Sequence, residues 1–124
     1  MRRIRKIPLW ETAQAIATTA VITTDPIDQT MLLGDAMAIY VELAGTSVSV
    51  DIAQLANDKA IGTYKDPTNT FAASLGAIAG TLTASAWIQF TPVIAPFMHI
   101  TITGDGSNGA NTTAMAYLIV QEEI

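Results

Sequence analysis

The chain has 124 residues, half of them apolar and 14% charged, with six cations against eleven acids, one histidine and no cysteine. That length holds one domain with its own core, the apolar content excludes intrinsic disorder, and the missing thiols exclude disulfides, thiolate metal sites and a cysteine nucleophile. No apolar stretch reaches the length of a membrane-spanning helix, so no membrane partner is expected.

The first ten residues, MRRIRKIPLW, hold four of the six basic residues: Arg2, Arg3, Arg5 and Lys6. The rest of the chain keeps only Lys59 and Lys65 against all eleven acids. Ile4, Ile7, Leu9 and Trp10 give the segment apolar teeth, and Pro8 denies it a continuous helix or a central strand. Residues 1–10 are therefore expected to form an extended N-terminal arm on a body spanning 11–124. The plain alternative is a frayed terminus. The sharper reading is an arm that reaches a neighbouring subunit, or that lays its cations on an acidic surface, either this chain's own body or a partner. Arg2, Arg3, Arg5, Lys6, Ile7 and Trp10 are its expected contact residues. Four cations with one aromatic are a weak nucleic-acid signal, and the acidic body opposes it. Pro8, Trp10, Glu11 and Gln14 interrupt any signal-peptide core, so the chain is expected to remain in the cytoplasm where it is made.

Residues 11–24 mix helix-favouring alanines with a β-branched end, and the half from Ile16 to Thr24 is expected as strand. Asp25-Pro26 breaks it, and Ile27 to Leu33 is a candidate edge strand ended by Gly34-Asp35. Between Ala36 and Leu43 the apolar positions Met37, Ile39, Val41 and Leu43 alternate with Tyr40 and Glu42. From Thr46 to Ile52, Val48, Val50 and Ile52 alternate with Ser47, Ser49 and Asp51. Two alternating runs around Ala44-Gly45 predict a hairpin. Asn57-Asp58-Lys59 reads as a turn, Ala60 to Tyr64 as a short strand, residues 65–69 as a loop, and Phe71 to Gly80 as either helix or strand.

The last third is the most regular. Leu82, Ala84, Ala86, Ile88 and Phe90 share one face of a run whose other face carries Trp87 and Gln89. Met98, Ile100 and Ile102 oppose His99, Thr101 and Thr103. Ala114, Ala116, Leu118 and Val120 oppose Met115, Tyr117 and Ile119, so both faces of this strand look covered. A period of two over seven or eight short runs predicts a single all-β domain, an antiparallel β-sandwich of jelly-roll type.

Candidate chemistry is scarce. His99 lies on the polar face of its strand, and Ser107, His99 and Asp105 form a triad only on paper, with no nucleophile elbow to support it. The loop from Gly104 to Asn111 offers oxygens from Asp105, Ser107 and Asn108, but it lacks the EF-hand spacing and terminal glutamate. Gly106 and Gly109 more simply supply positive φ in a long hairpin. Asn111-Thr112-Thr113 matches a glycosylation sequon, which has no use in a chain that is not secreted. No catalytic set, cofactor or metal is expected.

Sparse charge carries the functional reading. Ordinary domains hold about a quarter charged residues, and Lys, Glu and Asp are the types depleted from the cores of subunit contacts. Much of the surface is expected to be covered by other subunits, with Trp87 and Phe97 as body contacts. Trp87 is favoured because it lies opposite Ile88 and Phe90 on its own strand.

The succession Ala86-Trp87-Ile88-Gln89-Phe90, Pro96-Phe97-Met98-His99-Ile100-Thr101-Ile102-Thr103-Gly104, Gly106-Ser107-Asn108 and Ala116-Tyr117-Leu118-Ile119-Val120-Gln121-Glu122 resembles small tailed-phage virion proteins. His99 stands where that pattern has arginine. The resemblance covers about forty residues and implies a β-sandwich subunit of a virion: a capsid decoration or cement protein, or a minor capsid, head–tail or tail component. It implies a homo-oligomer, with a trimer as one form, partnered by itself and by the major capsid or other virion proteins, with no cofactor. Two other readings stay open. One is a carbohydrate- or receptor-binding module using residues 104–112 with Trp87 or Tyr64 as a stacking platform. The other is a non-viral filament or assembly subunit.

Overall fold

The computed structural model describes residues 2–30, 36–67 and 76–123. Among the described residues ten strands run in chain order: β1 (Arg2–Pro8), β2 (Gln14–Ala15), β3 (Val21–Thr23), β4 (Ile27–Asp28), β5 (Met37–Ala44), β6 (Val50–Asn57), β7 (Ala77–Leu82), β8 (Ala86–Phe90), β9 (Phe97–Gly104) and β10 (Thr113–Glu123). They form two antiparallel sheets. One has the order β1-β10-β5-β8, with β2 also on β10; the other has the order β3-β9-β6-β7, with β4 also on β9. Taking β1 with β2 and β3 with β4 as single passes, the chain order within the two sheets is that of a jelly roll. The fold is the expected all-β sandwich.

The alternation seen in sequence explains the layers. Met37, Ile39 and Val41 from β5, with Ala114, Ala116, Leu118 and Val120 from β10, face Val50 and Ile52 from β6 and Met98, Ile100 and Ile102 from β9. All are buried. Each fully buried aliphatic side chain contributes roughly 1.5–3 kcal/mol relative to exposure.

Partnering differs from the sequence expectation at the corners. β5 and β6 do not form a hairpin; they lie in different sheets. Gly45, at φ +113°, turns the chain so tightly that a Cβ there would lie 2.6 Å from the Thr112 Cα. Ser47, at φ 54°, then aims the chain into the second sheet. The run from Leu82 to Phe90 is likewise split: β7 ends in one sheet and β8 begins in the other, after Thr81 at φ 50°. Residues 105–112 form an arch between sheets rather than a hairpin, since β9 and β10 are not neighbours. Alternation fixes which face a side chain takes and leaves the partner strand open.

The expected strand from Ile16 to Thr24 is broken at Thr18, φ 52°, and by a turn closed by the Ala20 amide on the Ala17 carbonyl at 3.0 Å. Residues 60–62 form bends and 63–64 are irregular, in place of the expected short strand, and the isolated bridge Ala56–Lys65 closes that loop. Of the segment expected as helix or strand, Ala77 to Gly80 lie in β7, and residues 71–75 lie outside the described residues. So do residues 31–35, which hold the end of the candidate edge strand from Ile27 to Leu33 and its expected Gly34-Asp35 stop.

Candidate functional site

Residues Arg2–Pro8, expected as an arm, form the edge strand of the first sheet, paired in register with β10 of the same chain from Arg2↔Glu123 to Pro8↔Tyr117. An edge position suits Pro8, which has no N–H to give to an outer neighbour. Side chains then alternate. Arg3 and Arg5 turn to the inner side, where they converge on Glu122. The Arg3 Nη2 and Nε lie 2.9 and 3.0 Å from Glu122 Oε2, and the Arg5 Nη1 lies 2.5 Å from Oε1. The Glu122 side chain is only 11% exposed under them. The Arg3 and Arg5 guanidiniums hold its carboxyl below the usual glutamate range. Arg3 and Arg5 thus rest on an acid of this chain's own body.

Ile7 and Trp10, expected at a subunit contact, pack against this chain's own core. The Leu9 amide donates to the Ala116 carbonyl at 3.0 Å and anchors the link that follows β1. Arg2 is described by its backbone pairing with Glu123.

On the outer side of the same sheet, Lys6 begins a row that crosses all four strands. Its Nζ sits 4.1 Å from the centre of the Tyr117 ring. Tyr117 is the register partner of Tyr40, and Tyr40 is that of Trp87. Ring centres lie 6.1 Å apart for Tyr117–Tyr40 and 5.1 Å for Tyr40–Trp87, with interplanar angles of 19° and 30°. Offset stacking of this kind is favourable by about 0.5–1.5 kcal/mol per pair beyond area burial, and the Lys6 ammonium adds a cation–π contact. The stack is capped by a cation at the β1 end. At the β8 end Trp87 is 64% exposed on the edge strand.

Phe97, the other expected body contact, lies half-buried on β9 in the second sheet, opposite Asp28 and Asn57. The structure does not bring it to Trp87. Tyr64, the other candidate platform, packs its ring on His99 at 3.7 Å, again on the second sheet. Tyr40, Tyr117 and Glu122 were not among the site residues expected from sequence. The available signal was that Tyr40 and Tyr117 each occupy the outward phase of their strands.

The 104–112 loop is tied inward at Asn108. Its buried side chain accepts the Ser49 amide at 2.8 Å and donates to the Ile16 carbonyl at 2.8 Å, so it joins three separate connections. Gly106 has the expected positive φ, +103°. Gly109 is instead needed for space, since a Cβ there would lie 2.9 Å from the Thr46 carbonyl oxygen. Asp105 accepts from the Ser107 amide and hydroxyl at 3.2 and 2.8 Å. Its carboxyl is held below the usual range by the hydroxyls of Ser49 and Ser107 and by the Ser107 amide. Among the described residues, no three His, Cys, Asp or Glu side chains gather to hold a metal, and no helix is long and apolar enough to cross a membrane.

No protein family and no curated protein matches the chain. Among solved structures it is similar to the SPBc2 prophage-derived protein YomS, at 14% identity and a TM-score of 0.54 over 98% of this chain and 96% of that one. It is also similar to a chain in the structure of infectious bursal disease virus, Gx strain, at 16% identity and a TM-score of 0.50, covering 98% of this chain and 32% of that one. The chain therefore spans about a third of the viral chain. At such identities the likeness establishes a shared fold. The neighbours carrying that fold are a prophage protein and a viral particle.

Proposed function

We propose that the protein is a structural subunit of a virion, one that self-associates and sits on the particle as a capsid decoration, cement or minor capsid component. The observation that carries this reading is the jelly roll that occupies nearly the whole chain, in a fold shared with a prophage-derived protein and with a chain of a viral particle. Charge-poor composition and an outward aromatic row support it, because both suit surfaces that other subunits cover. The role needs no reaction, cofactor or metal, and its partners are further copies and the particle's other proteins.

The test is quantitative mass spectrometry of purified particles of the virus that encodes the chain, with addition of purified chain to particles that lack it. A fixed ratio to the major capsid protein, or co-sedimentation that saturates, is expected. Absence from the particles together with failure to co-sediment removes the proposal.

A carbohydrate-binding module is the second reading, favoured by the exposure of Trp87. Two features narrow it. Asn108 is committed inside the fold, and the stacked rings cover one another, which leaves the outer indole face of Trp87 as the open platform. A glycan array on the full chain, with loss of any signal in Trp87→Ser, decides this reading.

A further inference from the structure

The outer face of the first sheet carries little charge among its described residues. Among its described outward side chains there is one cation, Lys6 on β1, and one acid, Glu42 on β5. Ile4 and Trp87 stand 76% and 64% exposed on it, beside the half-buried Tyr40, Tyr117 and Ile119. On a chain with six cations and eleven acids, one charge of each sign lets two copies bring this face together without net repulsion from these residues. An exposed apolar patch of this kind marks an interaction surface.

We propose that this face is an isologous interface between two copies of the chain. Its two charges are self-complementary. Any two points on a face are exchanged by a two-fold axis that lies in the contact plane, midway between them and perpendicular to the line joining them. One such axis sets Lys6 of each copy against the partner's Glu42, with both pairs made at once. The register fixes where the rest goes. The Lys6 ammonium lies over Tyr117, and Glu42 opposes Met115, two residues along β10. On a flat grid of about 4.8 Å between strands and about 3.3 Å per residue, the same axis carries Trp87 to about 3 Å from the partner's own Trp87, beside the partner's Tyr40. A single rotation thus pairs the two charges and sets the two exposed indoles against each other.

The inference deepens the self-association named in the virion reading and does not depend on binding to a particle. It is tested on purified full chain by sedimentation velocity and native mass measurement, with Lys6→Glu, Glu42→Lys, the double reversal and Trp87→Ser. A dimer is expected. Each single reversal places like charges in contact twice per dimer and weakens association about tenfold or more. The double reversal restores it to within about threefold, which loss of the Lys6–Tyr117 contact alone does not predict. Trp87→Ser weakens the dimer; loss of the Tyr40 stack lowers the thermal transition by a few degrees and leaves the chain folded, since the side chain lies outside the core.

A chain that stays monomeric to millimolar concentration overturns the inference, as does a dimer indifferent to all four variants. So does a Trp87→Ser variant that keeps the dimer and loses attachment to particles or glycans. A monomer that still co-sediments with particles overturns this inference and the self-association in the virion proposal, and leaves the binding to particles standing.

Discussion

Replacing Asn108 with alanine separates a structural loop from a binding loop. The Asn108 side chain makes two buried hydrogen bonds of 2.8 Å, one from the Ser49 amide and one to the Ile16 carbonyl. Ser49 and Ile16 are 5% and 0% exposed, so water does not readily replace the lost partner. Each such bond contributes about 0.5–1.5 kcal/mol net, and each buried group left unpaired costs about 1–3 kcal/mol. With partial relaxation around the small cavity, Asn108→Ala is expected to destabilise the fold by about 2–4 kcal/mol. For a chain of this size that corresponds to a fall in Tm of about 8–16 °C. Asn108→Asp keeps the acceptor toward Ser49, loses the donor toward Ile16 and buries a charge, so it is expected to be at least as damaging at neutral pH. Asp105→Ala, on the exposed part of the same loop, serves as the control and is expected to stay within about 1 kcal/mol of the parent. Urea titration with an unchanged m-value is the assay. An Asn108→Ala variant within about 1 kcal/mol of the parent refutes the argument that this side chain holds the three connections together.

Three further outcomes follow from the geometry. The Glu122 carboxyl is held low in the folded chain by Arg3 and then Arg5, so its contribution is complete above the ordinary glutamate value of about 4.3. It is lost as pH falls through the lower folded value; amide exchange in β1 is expected to accelerate selectively in that acid window, and Glu122→Gln abolishes the pH dependence. Gln54 is 1% exposed and clasps Val93 twice, accepting its amide at 2.8 Å and donating to its carbonyl at 3.0 Å. Gln54→Met fills similar space without either bond and is expected to cost about 1–3 kcal/mol in urea titrations. Gly45→Ala puts a methyl 2.6 Å from the Thr112 Cα at φ +113°, so it is expected to lower expression and Tm more than alanine at the exposed Gly106.

The strands and their faces were legible in sequence because alternation is local. The inward residues of β5, β6, β9 and β10 all stood in the expected phase, and burial follows that phase residue by residue. Partners were not legible. The three corners that were misread share one cause: Gly45, Thr81 and the Asn108 arch move the chain between sheets, and short connections in sequence look the same whether they close a hairpin or cross a sandwich. Thr18, Ser47 and Thr81 take positive φ without being glycine, so no composition signal marked those turns. The basic N-terminal segment was visible as a unit. Its place was not, because the acid that holds it lies at the opposite end of the chain, 119 residues from Arg3.

The aromatic row shows why the outward phase of a strand is the informative one. A sheet that faces only water places polar side chains outward, whereas β10 carries Met115, Tyr117 and Ile119 there and β5 carries Tyr40. Register turns those separate anomalies into a continuous feature, since Tyr117, Tyr40 and Trp87 fall on one line across three neighbouring strands. Lys6 reaches that line only because β1 lies along β10, and β1 is held in place by the two arginines on Glu122 at the inner face. The inner and outer faces of the N-terminal strand are therefore coupled. Loosening the arginine–Glu122 cluster withdraws Lys6 from Tyr117 and removes one of the two charges among the described side chains of the outer face. Acidification through the Glu122 transition should then weaken association between copies while the core from Ile39 to Leu118 remains folded. Loss of association and loss of β1 protection at the same pH would tie the two faces together, and association unaffected by β1 release would separate them.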